Sequence, residues 1–333
     1  MKKLFSLILV LSLFLATGCM GGENNNANES KEETTNTETN EETTYKIGIS
    51  QFVQHDALDA ATEGFSQALT DEFGDKVEIT VSNASGQADV CSTIANQFIT
   101  DGVDLIMANA TPALQAAAAA TGDIPILGTS VTEYGVALEI NDFDGLVGTN
   151  VSGTSDLAPL EEQAKMFEEL LPDANTIGIL YCSSEANSKY QVEEVQKYLE
   201  EMGKTVKIYP FTDSNDVGTF TTNAIYECDA LYIPTDNTAA ASTETINNIA
   251  LRAGVPIIAG EKNTMVGCGV GTLSIDYYQL GYTTGQMAVK ILKGEADVKE
   301  MPIEYYTNPV KIADKARCEQ LGIEIPEGYE IFE

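Results

Sequence analysis

The residues best equipped for chemistry stand in a repeated setting. Polar turns follow short apolar runs and precede segments with helical spacing. They are Ser50-Gln51-Phe52 with His55-Asp56, Asn109-Ala110-Thr111, Thr129-Ser130-Val131-Thr132, Ser183 to Ser188, Pro234-Thr235-Asp236-Asn237-Thr238, Gly260-Glu261 and Ser274-Ile275-Asp276. In an open parallel sheet such turns lie at the carboxyl edge, where small ligands bind. Helix starts at Thr111 and Ser184 offer unpaired backbone N–H groups, which suit a carboxylate. Asp236, Glu261 and Asp276 are candidates to meet an ammonium, because a buried cation must be paired. Together they match a zwitterion.

Each residue alone has a plainer use. Ser184, Thr111 and Thr238 are good helix caps, and Asp276 can cap the helix that starts at Tyr277. His55, beside Asp56, could serve as a cap, a surface pair or a ligand contact. The signal is the recurrence of the turns. No catalytic constellation is expected: GxSxG, GxxxxGK[ST], HExxH and CxxC are absent. Gly267-Cys268-Gly269-Val270-Gly271 departs from GxGxxG at Thr272. A serine triad would have to recruit His55, the single histidine.

The elements that must position these turns alternate. The first unit runs as a strand through Tyr45, Ile47 and Ile49, a turn from Ser50 to Asp56, and a helix through Leu58, Ala61, Phe65 and Leu69. Strands are predicted over 76–81, 103–107, 124–127 and 146–147, with helices over 88–100 and from Thr111-Pro112, where a cap and a first-turn proline mark the start. The pattern then repeats. Helices are predicted over 156–171, 187–202, 239–253 and 277–292, and strands over 176–181, 205–211, 231–233, 255–258 and 270–273. Alternating strands and helices predict an α/β protein with parallel sheets and right-handed crossovers. Two such halves predict two Rossmann-like lobes joined by a hinge, lobe 1 over 45–152 with part of 277–333 and lobe 2 over 153–276. The helix from Tyr277 and the segment 302–333 are expected to return to lobe 1.

The start of the chain reads differently. Lys2 and Lys3 precede an apolar run from Leu4 to Leu15, then Ala16-Thr17-Gly18-Cys19. Residues 1–18 read as a signal peptide whose end resembles the lipobox of bacterial lipoproteins, with Cys19 the lipidated residue. Residues 19–44, rich in Asn, Glu and Thr, cannot bury enough apolar surface to order and read as a tether. The expected location is therefore the extracytoplasmic face of a bacterial membrane, lipid-anchored. The formal net charge is −33, which repels phosphate backbones, so nucleic acid is not an expected partner. Cys91, Cys182, Cys228, Cys268 and Cys318 are odd in number and widely spaced, so free buried thiols are favoured over a disulfide framework, and neither a metal nor a cofactor is expected.

At this point the sequence resembles a known family, the substrate-binding lipoproteins of ABC importers of the tryptophan and tyrosine type. The resemblance rests on Gln51-Phe-Val-Gln-His55-Asp-Ala-Leu-Asp59, Ala110-Thr111-Pro112, Ser184-Glu-Ala-Asn187-Ser188, Tyr232-Ile-Pro-Thr-Asp236-Asn237-Thr238, Ile275-Asp276-Tyr277-Tyr278-Gln-Leu-Gly281 and Ala288 to Gly294. It departs from the family at Cys182 and in a shortened stretch from Glu133 to Asn141. It implies a type I periplasmic-binding-protein fold, a monomer, an aromatic amino acid as ligand, and ABC permease and ATPase subunits as partners. The division of roles expected within such a site is a hypothesis: Thr111, Ser130, Ser184, Asn187 and Ser188 would hold the ligand carboxylate and Asp236 with Glu261 or Asp276 the ammonium. Gln51, Phe52 and Tyr134 would meet the side chain, with His55, Thr132, Asn237 and Thr238 completing the site. A receptor for a sugar, nucleoside or peptide, and a surface lipoprotein used for adhesion, are the alternatives. An enzyme is not expected.

Overall fold

The computed structural model describes residues 44–333. The signal peptide, Cys19 and nearly all of the tether lie outside the described residues. From the start of the fold the order is β1 (Tyr45–Gln51), α1 (Asp56–Phe73), β2 (Val77–Asn83), α2 (Ala88–Asp101), β3 (Leu105–Asn109), α3 (Thr111–Ala120), β4 (Ile126–Val131), α4 (Tyr134–Ala137) and β5 (Val151–Ser155). Then come α5 (Leu160–Leu170), β6 (Thr176–Cys182), α6 (Ala186–Glu201), β7 (Thr205–Phe211), α7 (Val217–Glu227), β8 (Ala230–Ile233), α8 (Asn237–Ala240), α9 (Thr243–Ala253), β9 (Ile257–Ala259), α10 (Lys262–Cys268) and β10 (Gly271–Ser274). The chain ends with α11 (Tyr277–Leu292), β11 (Glu304–Tyr305), β12 (Val310–Asp314), α12 (Lys315–Leu321) and β13 (Glu330–Phe332).

The strands form two sheets. The first has the order β11, β5, β4, β3, β1, β2 with every pair parallel. The second has the order β13, β12, β10, β9, β8, β6, β7, and only the β10–β12 pair is antiparallel. β3 and β8 are buried along their whole length, as expected of parallel strands covered on both faces. Each sheet reverses its winding beside one strand, β1 in the first and β6 in the second. That is where a doubly wound sheet opens a crevice at its carboxyl edge.

The chain crosses between the sheets three times: after Ser155, after Ser274 into α11 and β11, and between Tyr305 and Val310. α11 therefore lies on the first sheet, packed on α1, β4 and β5. Segment 310–333 differs from the expectation of a return to lobe 1, because β12 and β13 extend the second sheet beyond β10. The exposed edge of β10 offers free backbone groups, and pairing them outweighs any local preference. Two other expectations are corrected. Residues 146–147 are irregular, and the sheet takes Val151–Ser155 instead, a fully buried run whose two serines and glycine give no apolar pattern to read. The helix predicted from Asp156 begins at Leu160, which leaves Asp156 free at the end of β5.

Two glycine-bearing helices form the close contact of lobe 1. A Cβ on Gly281 would strike the Ala61 carbonyl, and one on Gly64 would strike the Tyr278 carbonyl. α1 and α11 meet backbone to backbone at these points. Gly281→Leu should therefore destabilise the protein by about 1–3 kcal/mol, as overpacking of a well-filled contact does. Gly322→Asn, at a left-handed helix end with open space around it, should cost only a few tenths of a kcal/mol. Urea unfolding of both variants measures the difference, and equal midpoints would contradict the close contact.

Candidate functional site

The end of β4 and the turns after β1, β5, β6, β8, β9 and β10, with the helices they start, converge on one cavity lined by His55, Leu58, Ser130, Asp156, Asn187, Thr235, Asp236, Asn237, Ala240, Glu261 and Tyr277. Both sheets contribute. His55 stands before α1 on the first lobe and its Nε2 lies 3.3 Å from Asn237 Oδ1 on the second. α4 of the first lobe packs on α6 of the second, closing one side.

Every charged residue in the lining is a carboxylic acid: Asp156, Asp236 and Glu261. Asp236 caps α8: its Oδ1 accepts the Ala239 N–H at 2.8 Å and its Oδ2 the Cys182 N–H at 2.6 Å. Glu261 caps α10, accepting the Asn263 N–H at 2.6 Å together with the Thr264 N–H and hydroxyl. Behind them, buried Glu185 accepts from the Asn237 and Thr238 N–H groups, the Asn237 amide and the Thr238 hydroxyl. Asp156 is held differently. Its donors are two hydroxyls, Thr132 Oγ1 on Oδ1 and Tyr277 OH on Oδ2, each at 3.0 Å. Hydroxyls rotate, whereas capped N–H groups are fixed, so Asp156 is the carboxyl most able to re-aim its oxygens.

No lysine or arginine stands among the lining residues. Burial therefore dominates the titration of these acids. It pushes Asp156 up to about 6, with Glu261 adding repulsion and the Thr132 and Tyr277 hydroxyls opposing it. Burial and the charge of Glu185 push Asp236 up as well, against the pull of the Ala239 and Cys182 N–H groups and the Ser188 hydroxyl. Further polar atoms in the cavity have no hydrogen-bond partner: Ser130 Oγ, Asn187 Oδ1 and His55 Nδ1. Ser130 sits at φ 54°, a left-handed conformation that costs a non-glycine residue energy. Ser50 Oγ, Asn109 Oδ1 and Thr111 Oγ1 are likewise buried and unpartnered at the neighbouring ends of β1 and β3.

Of the candidates from the sequence, His55, Ser130, Asn187, Asp236, Asn237 and Glu261 line the cavity, and Thr132 reaches it through Asp156. Thr238 and Ser188 are committed to Glu185 and Asp236 behind the wall. Others are corrected. Gln51 turns back into its own lobe, donating to Val53 O and Asp59 and accepting from Thr62. Phe52 is core, packed with Leu58 and Ala84. Tyr134 is buried under the first sheet with its hydroxyl on Thr154 O at 3.0 Å. Ser184 is exposed and bonds Thr212 O, and Asp276 is exposed and caps α11 through the Gln279 N–H. Sequence reasoning missed Asp156 and Tyr277 as lining residues. Asp156 directly follows β5 and Tyr277 is the first residue of α11, so the signal existed; the helix expected from Asp156 starts later, at Leu160.

Among the described residues, no cluster of three or more His, Cys, Asp and Glu could hold a metal. Cys91, Cys182, Cys228, Cys268 and Cys318 are free and buried. Burial pushes the Cys268 thiol up to about 12 and Cys91 and Cys318 to about 11, which makes them poor nucleophiles.

The raised Asp156 has a stability consequence. The folded state binds its proton more tightly than the unfolded chain, so stability falls as pH rises from about 4, the ordinary carboxyl value, through about 6. Asp156→Asn should be more stable than the parent at pH 8, by up to about 3 kcal/mol, and no more stable near pH 4. Melting curves across that range test it; a pH-independent difference would contradict it.

Comparison with known proteins agrees with this geometry. The family model described as ABC transporter substrate binding protein matches residues 46–330. A curated tyrosine-binding protein of Clostridioides difficile is 36% identical over 307 residues, covering 91% of this chain and 87% of the relative. An ABC domain from Streptococcus pneumoniae, solved in complex with L-Trp, is 33% identical with a TM-score of 0.83, covering 87% of this chain and 99% of the other. The ligand-free, open structure of a substrate-binding protein with adhesive properties from Clostridium difficile is 38% identical with the same coverages, but its TM-score is 0.66. The higher likeness to the liganded structure, despite lower identity, accords with a cleft closed across His55 and Asn237. Members of this family are solute-binding receptors of ABC transporters, and the importers they serve take up solute from outside the cytoplasmic membrane. The chain belongs to the ABC transporter substrate-binding protein family.

Proposed function

We propose that this receptor captures an aromatic amino acid, tyrosine or tryptophan, between its lobes and hands it to an ABC permease energised by its ATPase. The observation that carries this reading is the sign of the cavity: Asp156, Asp236 and Glu261 line it with no lysine or arginine among them. Such a site lacks one cation, and a ligand ammonium supplies it. Asp156 is its principal acceptor, with Asp236 and Glu261 supporting. Ser130 and Asn187, whose side-chain oxygens lack partners, meet the ligand's remaining polar groups. Tyr277, Leu58 and His55 face the aromatic ring, a contact worth about 0.5–1.5 kcal/mol for stacked rings. The names of the Clostridioides and Streptococcus relatives support the ligand class.

The two sheets act as lobes, and residues near Ser155, Ser274 and 306–309 act as the hinge. The ligand bridges both lobes and so stabilises the closed form, which the permease recognises. The protein works as a monomer held at the extracytoplasmic face by lipid on Cys19, a reading that rests on the lipobox-like sequence.

Thermal melting of the body, residues 45–333, against the twenty amino acids, sugars and nucleosides tests the proposal. At a hundredfold excess over the dissociation constant a true ligand adds about 2.7 kcal/mol of stability. The expected shift is confined to tyrosine, tryptophan and phenylalanine; a shift with sugars or nucleosides alone would overturn the reading. Asp156→Asn should weaken amino-acid binding by about 2–3 kcal/mol while stabilising the free protein at pH 8. Unchanged affinity would remove Asp156 from the ammonium site.

A further inference from the structure

Four buried carboxyls lie within and behind one cavity, and the charges around them are all of one sign. Asp156 is faced by Thr132 from the end of β4, Tyr277 from the start of α11, Glu261 from the start of α10 and His55 from the start of α1. Tyr134 from α4 feels its charge through the sheet. Asp236 is faced by Glu185, and Tyr181 and Cys182 feel its charge. Lys262, next to Glu261 in the chain, opens instead onto the outer groove beside Tyr278 and Tyr306. Of the titratable groups facing Asp156, His55 is the only base. The unpartnered Ser130 Oγ and Asn187 Oδ1, both more than nine-tenths buried, show independently that the cavity is built around polar ligand groups.

We infer that Asp156 gives up a proton to water when the ammonium of a ligand docks, so that capture releases a proton and acidification expels the ligand. The inference rests on the amino-acid reading above. The exchange balances: a neutral carboxyl and a cationic ligand become an ion pair and a free proton. The ligand cannot supply that proton, because an amino acid stays a zwitterion across the neutral range. The hydroxyl pair makes the exchange cheap in geometry. When Asp156 is neutral, its O–H can donate to Tyr277, whose hydroxyl lies also beside Thr235; when it is ionised, Tyr277 and Thr132 both donate to it. Asp236 and Glu261 lack this freedom because backbone N–H groups hold their oxygens. Asp156 also lies where the chain first crosses between sheets, so its charge is felt at the hinge.

Titration calorimetry of the protein with L-tyrosine and L-tryptophan, in buffers of different ionisation enthalpy, counts the protons released. The expected count is about half a proton per ligand near pH 6, close to one near pH 5 and close to zero near pH 8, with affinity falling up to about tenfold per pH unit on the acid side. Difference infrared spectra should show a protonated-carboxyl band in the ligand-free protein that ligand removes and that Asp156→Asn lacks. His55→Gln, whatever its affinity, should still release the proton for each ligand bound when titrated to saturation. Buffer-independent heats and a flat affinity between about pH 5 and pH 8 would overturn the inference while leaving the ligand reading intact. Proton release lost in His55→Gln, with the band unchanged by ligand, would assign the exchange to His55 and overturn it too. No binding of any aromatic amino acid at any pH overturns both readings.

Discussion

Burying several carboxyl groups around one cavity without a lysine or arginine is the constraint on which the rest of this molecule depends. An unpaired buried charge costs several kcal/mol, and the protein meets that cost in two ways. Asp236 and Glu261 are used as helix caps, so that backbone N–H groups at the starts of α8 and α10 answer their charge. Glu185 is wrapped by the amide and hydroxyl of Asn237 and Thr238 together with their backbone N–H groups. Asp156 receives side-chain hydroxyls instead, and burial raises both it, to about 6, and Asp236.

That arrangement requires the sheets to be where they are. Helix starts can answer buried acids only if they point into the cavity, and parallel sheets deliver them there because every strand ends at the same edge. The two reversals of winding, beside β1 and β6, open the crevice that the acids line. Asp156 and Tyr277, beside two of the three crossings, are in hydrogen-bond contact and so tie those crossings together. The close backbone contact of α1 and α11 keeps His55 and Tyr277, which stand at the starts of those helices, on one rigid wall.

Much of the fold was legible locally. β7 and α11 begin and end where hydrophobic periodicity and caps predicted, because those signals act over a few residues. The strand Val151–Ser155 was not legible, since its burial between β4 and β11 overrides a sequence of small polar residues. The placement of 310–333 was not legible either, because pairing with the edge of β10 is a long-range event.

The cavity shows the same division at the scale of single residues. The sequence by itself determined that polar turns would gather at the carboxyl edges of two parallel sheets, since strand, turn and helix signals are local and the edge follows from topology. Only the tertiary structure decided which residue of each turn faces inward. Asp276 points out and Tyr277 in; Ser184 points out and Asn187 in; Phe52 sinks into the core and His55 reaches across to Asn237. One residue at the start of a helix turns a side chain by about 100°, and the direction that results is set by how the whole helix packs on its sheet.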